Sequence, residues 1–281
     1  MNWQAQFEEY GARKTQVALD AALSPYRTDV DRHDDSLLSI GNDWTASSFD
    51  GAFYLSPPSG PHQSVCSLVF VQSSDGNTGA NDPSSLGGGA TDTHLIYEGL
   101  SRVAADAVLG GAETIRGGHV VFSVWHPELV RLRASLGKPR HPVQIVATLR
   151  GLDFEDGLLF NVPEIQIIVI TIGGCALLMQ PALASRPWIT TIVMDGPADL
   201  PRAVEALRAR GIERISAIGG RRLATQLIDA GIVQDVYLTT AARAGGEPNT
   251  PMYPKPLPGD LVVRKLGTGT EAGVVFEHFR L

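Results

Sequence analysis

Apolar positions follow two rhythms along this chain. From Ser64 onward, short continuous apolar runs alternate with segments of helical spacing. The runs are Val65–Gln72, Asp106–Leu109, Val143–Thr148, Ile165–Ile172, Ile189–Asp195, Ile215–Ile218 and Val233–Ala241. They are rich in valine and isoleucine and continuous rather than alternating, as in strands covered on both faces. Between them, Thr93–Ala105, Glu128–Leu136, Leu200–Arg210 and Arg222–Ala230 have helical spacing. In the third of these, Leu200, Val204 and Leu207 share one face, with Arg202, Arg208 and Arg210 outside it. Gly211 and Gly231 stop the last two helices, a common use of glycine. Leu261–Gly267 and Gly273–Leu281 read as a terminal antiparallel pair. The repeated strand–helix–strand order predicts an α/β domain, with a mostly parallel central sheet flanked by helices and antiparallel strands at its edge.

The first 63 residues have a different texture. Residues 2–23 have the spacing of an amphipathic helix, Asp29–Asp35 is a charge run, and Ser56–Pro61 is linker-like. Too few apolar residues are present for a separate core. We expect residues 1–63 to be an extension packed on a main domain of residues 64–281.

Composition narrows the partners. A formal net charge of -7 argues against a general nucleic-acid binder, which needs a basic face. The longest apolar run, Ile165–Met179, is short and interrupted by Gln166, Thr171 and a glycine pair, so no membrane span is expected. Met1–Glu9 is polar and acidic, unlike a secretory leader, and a cytoplasmic protein is expected. Cys66 and Cys175 lie among apolar neighbours and read as buried free thiols. The histidines show no metal-ligand spacing, and no nucleophile-elbow motif occurs, so neither a metal centre nor hydrolytic chemistry is expected.

Candidate chemistry gathers where strands end, the place where ligands bind in open α/β sheets. Gly110-Gly-Ala-Glu-Thr-Ile-Arg116 follows one strand and offers backbone N–H groups, the Thr114 hydroxyl and the Arg116 guanidinium to an anion. Gly219-Gly-Arg-Arg222, leading into Leu223, follows another, and its glycines permit close approach of a pyrophosphate to a helix start. Two such turns suggest two contacts on one phosphorylated ligand. Thr148 and Arg150 end a third strand, where an arginine could take the 2′-phosphate of NADPH. Ser73, Ser74 and Asp75 form a polar end to the first core strand, though Asp-Gly is also simply a turn signal. Trp125 and His126 are a candidate substrate wall, although a histidine at a helix start is commonly structural.

With these blocks in place, roughly residues 64–281 resemble the reductase domain of the riboflavin-biosynthesis deaminase-reductase, within the dihydrofolate-reductase-like superfamily. The resemblance rests on Ser73-Ser-Asp-Gly76, on Arg102–Arg116 and on Ile218–Val236. It implies a dihydrofolate-reductase-like fold and a homodimer. It implies NADPH as cofactor, held at Gly110, Gly111, Thr114, Arg116, Thr148, Arg150, Gly219, Gly220, Arg221, Arg222 and Leu223. It further implies hydride transfer to the sugar carbon of a ribosylamino-pyrimidinone phosphate. Asp75 and Ser74 are then the expected catalytic polar groups, with Ser73, Trp125 and His126 on the substrate side.

The chain departs from that pattern at three places. Ile218 stands where the family usually has Glu, Val69 where it often has Lys or Asn, and Gly117-Gly-His-Val-Val121 replaces a segment that usually continues Asp-Pro. The zinc deaminase half has no counterpart here. The cofactor expectation is therefore firmer than the substrate. A pterin-type reductase and a non-catalytic nucleotide-binding member of the family are the alternatives.

Overall fold

The computed structural model describes residues 2–58, 60, 63–80, 82–115, 120–155, 157–259, 261–269 and 273–281. Arg116, expected at the cofactor, lies outside these residues, as do Gly117–His119. The extension contributes α1 (Trp3–Leu19), β1 (Arg27–Asp31), β2 (Leu38–Ile40), α2 (Asp43–Ser48) and β3 (Phe53–Leu55). The main body begins with β4 (Val65–Gln72) and α3 (Gly89–Thr91), which runs into a π-helical stretch, Asp92–Leu100. It continues through β5 (Ala107–Gly111), α4 (Ala112–Ile115), α5 (Pro127–Ser135), β6 (Val143–Ala147), α6 (Leu158–Asn161) and β7 (Ile167–Ile172). Next come α7 (Gly173–Leu183), β8 (Ile189–Met194), α8 (Leu200–Arg208), β9 (Arg214–Ala217) and α9 (Arg221–Asp229). The last strands are β10 (Val233–Thr240), β11 (Leu261–Gly267) and β12 (Val275–Arg280).

The main sheet is ten-stranded, in the order β1-β11-β12-β10-β4-β9-β5-β6-β7-β8. From β10 to β8 every pairing is parallel, and β10, β12, β11 and β1 pair antiparallel. This is the α/β architecture that the strand pattern predicts, a mostly parallel sheet flanked by helices with antiparallel strands at one edge. Side chains two apart share a face of a strand. Cys66, Leu68, Leu109, Ile145, Ile168 and Ile170 therefore join one core, under Leu200, Val204, Leu207, Leu223 and Leu227 of α8 and α9. Val69, Val108, Val146, Ile167 and Val169 join the other, under α1, α5 and the π-helical stretch. Gly211 and Gly231 adopt φ of +84° and +65° just past α8 and α9, the left-handed helix stop.

Several elements differ from the sequence expectation. The helix placed at Thr93–Ala105 starts at Gly89 and is π-helical over Asp92–Leu100, a rare form to which apolar spacing alone does not point. The strand expected to end at Leu109 continues through Gly110 and Gly111, so that glycine pair is strand end rather than turn. Helix α7 is unexpected because apolar residues surround it: Cys175 and Met179 are buried while Leu177 and Leu178 are exposed, which leaves no stripe to read. The amphipathic segment expected over residues 2–23 ends as a helix at Leu19.

The extension lies along the sheet and over the second of these cores. Its β1 pairs with β11. Phe7 and Tyr10 of α1 meet the rings of His141 and Trp125, each pair with centroids 5.4 Å apart. Two buried polar centres tie it down. Arg264 donates to the carbonyls of Asp50 (2.7 Å) and Ala52 (2.8 Å) and to the Thr28 hydroxyl (3.0 Å). Asp235 accepts from the Ser56 hydroxyl at 2.8 Å and meets His278 Nε2 at 2.7 Å. Cys66 and Cys175 are free and buried, and burial pushes the Cys66 thiol up to about 12. Among the described residues, no helix is long and apolar enough to cross a membrane, and no three metal-ligating side chains converge.

Removing one member of a buried hydrogen-bonded charge cluster leaves its partners unsatisfied. Asp235→Ala should therefore cost about 3–5 kcal/mol in urea unfolding. It should also open the chain around Ser56 to limited proteolysis. Unchanged stability and protection would show that Asp235 does not anchor the extension.

Candidate active site

Two glycine-containing strand ends, about a hundred residues apart in sequence, meet in the fold. Strands β5 and β9 are parallel neighbours, and Ile218 N donates to Leu109 O at 3.0 Å just beyond their last pairing. A Cβ built on Gly219 would lie 2.6 Å from Thr114 Oγ1, closer than real contacts allow. Gly219 is thus glycine for room against the β5–α4 corner. Gly220 has φ +59° and ψ 119° at the start of α9, a conformation only glycine adopts without strain. No atom lies within 4 Å of a Cβ built on Gly111 or Gly220, so both present open backbone.

Two cavities flank this junction. The first, about 1050 Å³, is lined by Gly111, Thr114, Thr148, Arg150, Gly220, Arg221, Arg222 and Leu223 among others. The second, about 1020 Å³, is lined by Val69, Tyr97, Asp92, Ile218, Glu247 and Lys14 of α1, among others. They share Glu113, Thr114, Gly220 and Arg221, so they adjoin at the paired strand ends. Both have the size of a small-molecule site.

Their charge differs in sign. Arg150, Arg221 and Arg222 stand against Glu113 in the first cavity. Arg221 faces Glu247 at 3.7 Å, whereas Arg150 and Arg222 make no ion pair among the described residues. In the second cavity, Lys14 and Arg221 stand against Asp82, Asp92, Glu113 and Glu247. On a chain of net charge -7, a locally cationic cavity is a pointed feature.

Most of the residues expected to hold the cofactor thus line one cavity. Gly110 and Gly219 lie behind it, under Ile218 and against Thr114 respectively. The Thr148 hydroxyl donates to Gly151 O at 2.9 Å and accepts from Arg150 N at 3.3 Å, which fixes the turn that carries Arg150.

The other expected residues line neither cavity. Ser73 is buried, and its hydroxyl donates to Gly245 O at 2.8 Å and contacts the Asp75 carboxylate. Asp75 also accepts from Gly245 N, and Ser74 N donates to Arg243 O at 2.9 Å. The Ser73 hydrogen bond holds the Asp75 carboxyl below its ordinary value. These three residues brace the loop after β4 against the loop after β10, and that braced loop brings Thr78 and Gly79 to the second cavity. Trp125 is buried in the core under α1, with its backbone N–H donating to Glu98 Oε2 at 3.2 Å. His126 caps α5 and packs on Trp44 at 4.4 Å; burial lowers its imidazole, and His94 nearby adds to this.

Asp92 and Lys14 did not stand out in the sequence. Asp92 opens the π-helical stretch, is 9% exposed, and lines the second cavity. Burial pushes its carboxyl up to about 6. The signal available was Gly87-Gly-Gly89 just ahead of an acidic residue. Gly88 has helical φ and ψ, yet a Cβ there would fall 2.8 Å from Asp92 Oδ2.

Comparison with known proteins places this arrangement. The family model for the RibD C-terminal domain matches residues 66–267, from β4 through β11. The chain belongs to this family. Among solved structures, a pyrimidine reductase-like protein from Corynebacterium diphtheriae is similar, at 24% identity and TM-score 0.61, over 77% of this chain and 91% of that one. A riboflavin biosynthesis reductase of Saccharomyces cerevisiae aligns at 16% identity and TM-score 0.54, over 78% and 90% of the two chains. The deaminase/5-amino-6-(5-phosphoribosylamino)uracil reductase of Thermotoga maritima aligns at 16% identity and TM-score 0.51, over 78% of this chain and 57% of that one. At these identities the structures share the fold. No curated relative matches the chain by sequence.

The contact at the centre of this RibD C-terminal domain is open to a double-mutant cycle. Gly219→Ala should cost about 1–3 kcal/mol through overpacking on Thr114. Thr114→Ala in the same chain should recover most of that loss in denaturant unfolding. Simple additivity would mean that the two strand ends do not touch.

Proposed function

We propose that this protein is a reductase that uses NADPH, with the cofactor in the cationic cavity and a small polar substrate in the acidic one. The observation that carries this reading is the junction of the two cavities at Gly220, Thr114 and Arg221. A reacting carbon on one side and a hydride source on the other can meet only where two sites adjoin. The open backbone at Gly111 and Gly220 fits a pyrophosphate, since a side chain at either would project into the cavity. Arg150 and Arg222 fit a phosphate ester, because neither is already neutralised by a carboxylate among the described residues. Bound there, the cofactor supplies the hydride. The protein's own groups bind, orient and exclude water.

The family membership and the fold shared with pyrimidine and riboflavin-pathway reductases support an oxidoreductase. The acidic lining bears on the substrate. Asp82, Asp92 and Glu247 oppose a phosphorylated ligand, and Ile218 offers no hydrogen bond where the family usually has Glu. A site without the matching donors discriminates weakly in favour of such a substrate. The reading is therefore a substrate that is neutral or cationic near Ile218, with 5-amino-6-(5-phosphoribosylamino)uracil a poor one.

Two measurements test this. Calorimetry should show NADPH binding more tightly than NADH, and Arg150→Ala should remove about 1.5–3 kcal/mol of the difference. Equal affinity for both cofactors would refute the assignment. Turnover of 5-amino-6-(5-phosphoribosylamino)uracil with kcat/KM of about 10⁴ M⁻¹s⁻¹ or more would reject the substrate argument and restore the riboflavin-pathway reaction.

A further inference from the structure

Helix α1 lies outside the residues matched to the family, yet it forms part of the wall of the acidic cavity. Its buried residues, Phe7, Tyr10 and Ala18, are spaced so that they share one face. Gly11 belongs to that face as well, since a Cβ built on it would lie 3.4 Å from the Trp125 ring. Lys14 stands in the middle of the same face, one turn from Tyr10 and one from Ala18. A lysine is an unusual residue at the centre of a core-facing stripe. The face is covered on either side of Lys14 and opens at Lys14 itself, which is exposed and lines the cavity. The Lys14 ammonium lies over the Tyr10 ring, 5.7 Å from its centre. The main domain fixes that ring in turn, because the Tyr10 hydroxyl accepts from Val121 N at 3.3 Å.

The chain has four lysines, at positions 14, 138, 255 and 265. Lys138 pairs with Asp106 at 2.6 Å, Lys255 with Asp229 at 2.9 Å and Lys265 with Glu277 at 3.5 Å, whereas Lys14 makes no ion pair among the described residues. Arg221, the other cation lining the acidic cavity, already faces Glu247 at 3.7 Å. Lys14 is thus the lining cation left for a ligand. Asp82, Asp92, Glu113 and Glu247 line the same cavity and limit how much negative charge a ligand can bring. A phosphate monoester brings about two charges near neutral pH, and a carboxylate brings one. One ammonium among several carboxylates matches the carboxylate.

We propose that Lys14 binds a carboxylate of the substrate, so that the extension selects heterocycles with a single carboxylate over neutral and phosphorylated ones. This rests on the reading of the acidic cavity as the substrate site. The ammonium offers three donors and no acceptor, and a charge-assisted bond to a carboxylate is stronger than a neutral one. Ile218, in the same cavity, is left to the uncharged part of the ligand. Lys14 is then a specificity residue supplied from outside the family domain, and it takes no part in the hydride step.

The test uses the full chain and three probes that share a pyrimidine ring: uracil, which is neutral, orotate, which carries a carboxylate, and uridine 5′-phosphate. Reductive methylation with carbon-13 keeps the lysine charge and gives each lysine its own nuclear magnetic resonance signal. The Lys14 signal is assigned by its loss in Lys14→Gln and, independently, in Lys14→Arg. Orotate should shift that signal saturably and leave those of Lys138, Lys255 and Lys265 in place, whereas uracil should move none of them. In calorimetry of the unmodified protein, orotate should bind about 10-fold more tightly than either other probe. Lys14→Gln should lose that margin and Lys14→Arg should keep most of it. Both variants should retain the native circular dichroism and melting temperature, since Lys14 has no ion pair to lose. Orotate that leaves the Lys14 signal unmoved would overturn the inference. So would a margin that survives in Lys14→Gln, or uridine 5′-phosphate bound as tightly as orotate. NADPH affinity, measured in parallel, tests the reductase reading separately: native protein that binds no NADPH refutes that reading, while the orotate titration decides the role of Lys14 in either case.

Discussion

The contact between Gly219 and Thr114 is the constraint on which the rest of the site depends. It exists because β9 is inserted between β4 and β5, so the turn after β9 abuts the turn after β5. A side chain at Gly219 would collide with the Thr114 side chain and force it to give way. Together the two turns put the start of α9 beside the β5–α4 corner and create both cavities on either side of one junction. The cavities differ in charge because different loops complete them. The turn after β6 carries Arg150 into one, and the braced loop after β4 carries Asp82 and Thr78 toward the other.

How much of this was legible in the chain follows from the range of each signal. The parallel strands were readable because burial on both faces writes a continuous apolar run. Helices α8 and α9 were readable because one apolar stripe and a terminal glycine define each. Helix α7 carries no stripe, and β1, β2 and β3 are short segments fixed by tertiary pairing rather than by their own pattern. The glycine turns and their arginines were visible as motifs. Ser73, Ser74 and Asp75 also looked like a site, because a loop brace uses the same small polar residues as a ligand contact. Distinguishing the two needs the partner loop at Gly245, which is distant in sequence. Asp92 was illegible for the complementary reason. A lone acid in a helix reads as solvated, and only the fold shows Tyr26 and Thr239 closing over it.

The extension is held by polar contacts as much as by apolar ones. Arg264 is 2% exposed and satisfied chiefly by backbone carbonyls of the segment that precedes β3. Such a centre is costly to desolvate and gains little net stability over an apolar replacement, but it is strict about geometry. Asp235 works likewise through Ser56 and His278. An apolar patch would allow the extension to slide; carbonyls and a carboxylate at fixed positions do not. That register matters because Lys14 and Tyr26, on the two sides of the α1–β1 connection, both end up at or beside the acidic cavity.

At Asp92 burial and ionisation pull in opposite directions. A core that only had to be stable would place an apolar residue there, or supply hydrogen bonds for Oδ1. Instead Asp92 is buried beside Tyr26 with Thr239 as its polar neighbour, and ionisation of the carboxyl opposes the native state. The surrounding sheet must offset that cost, and it does so from both sides: Thr239 sits on β10, the strand that pairs with β4, and Tyr26 packs on Phe49 and Phe276 at ring distances of 5.9 and 6.3 Å. The aromatic packing that fastens the extension is the same packing that excludes water from the acid.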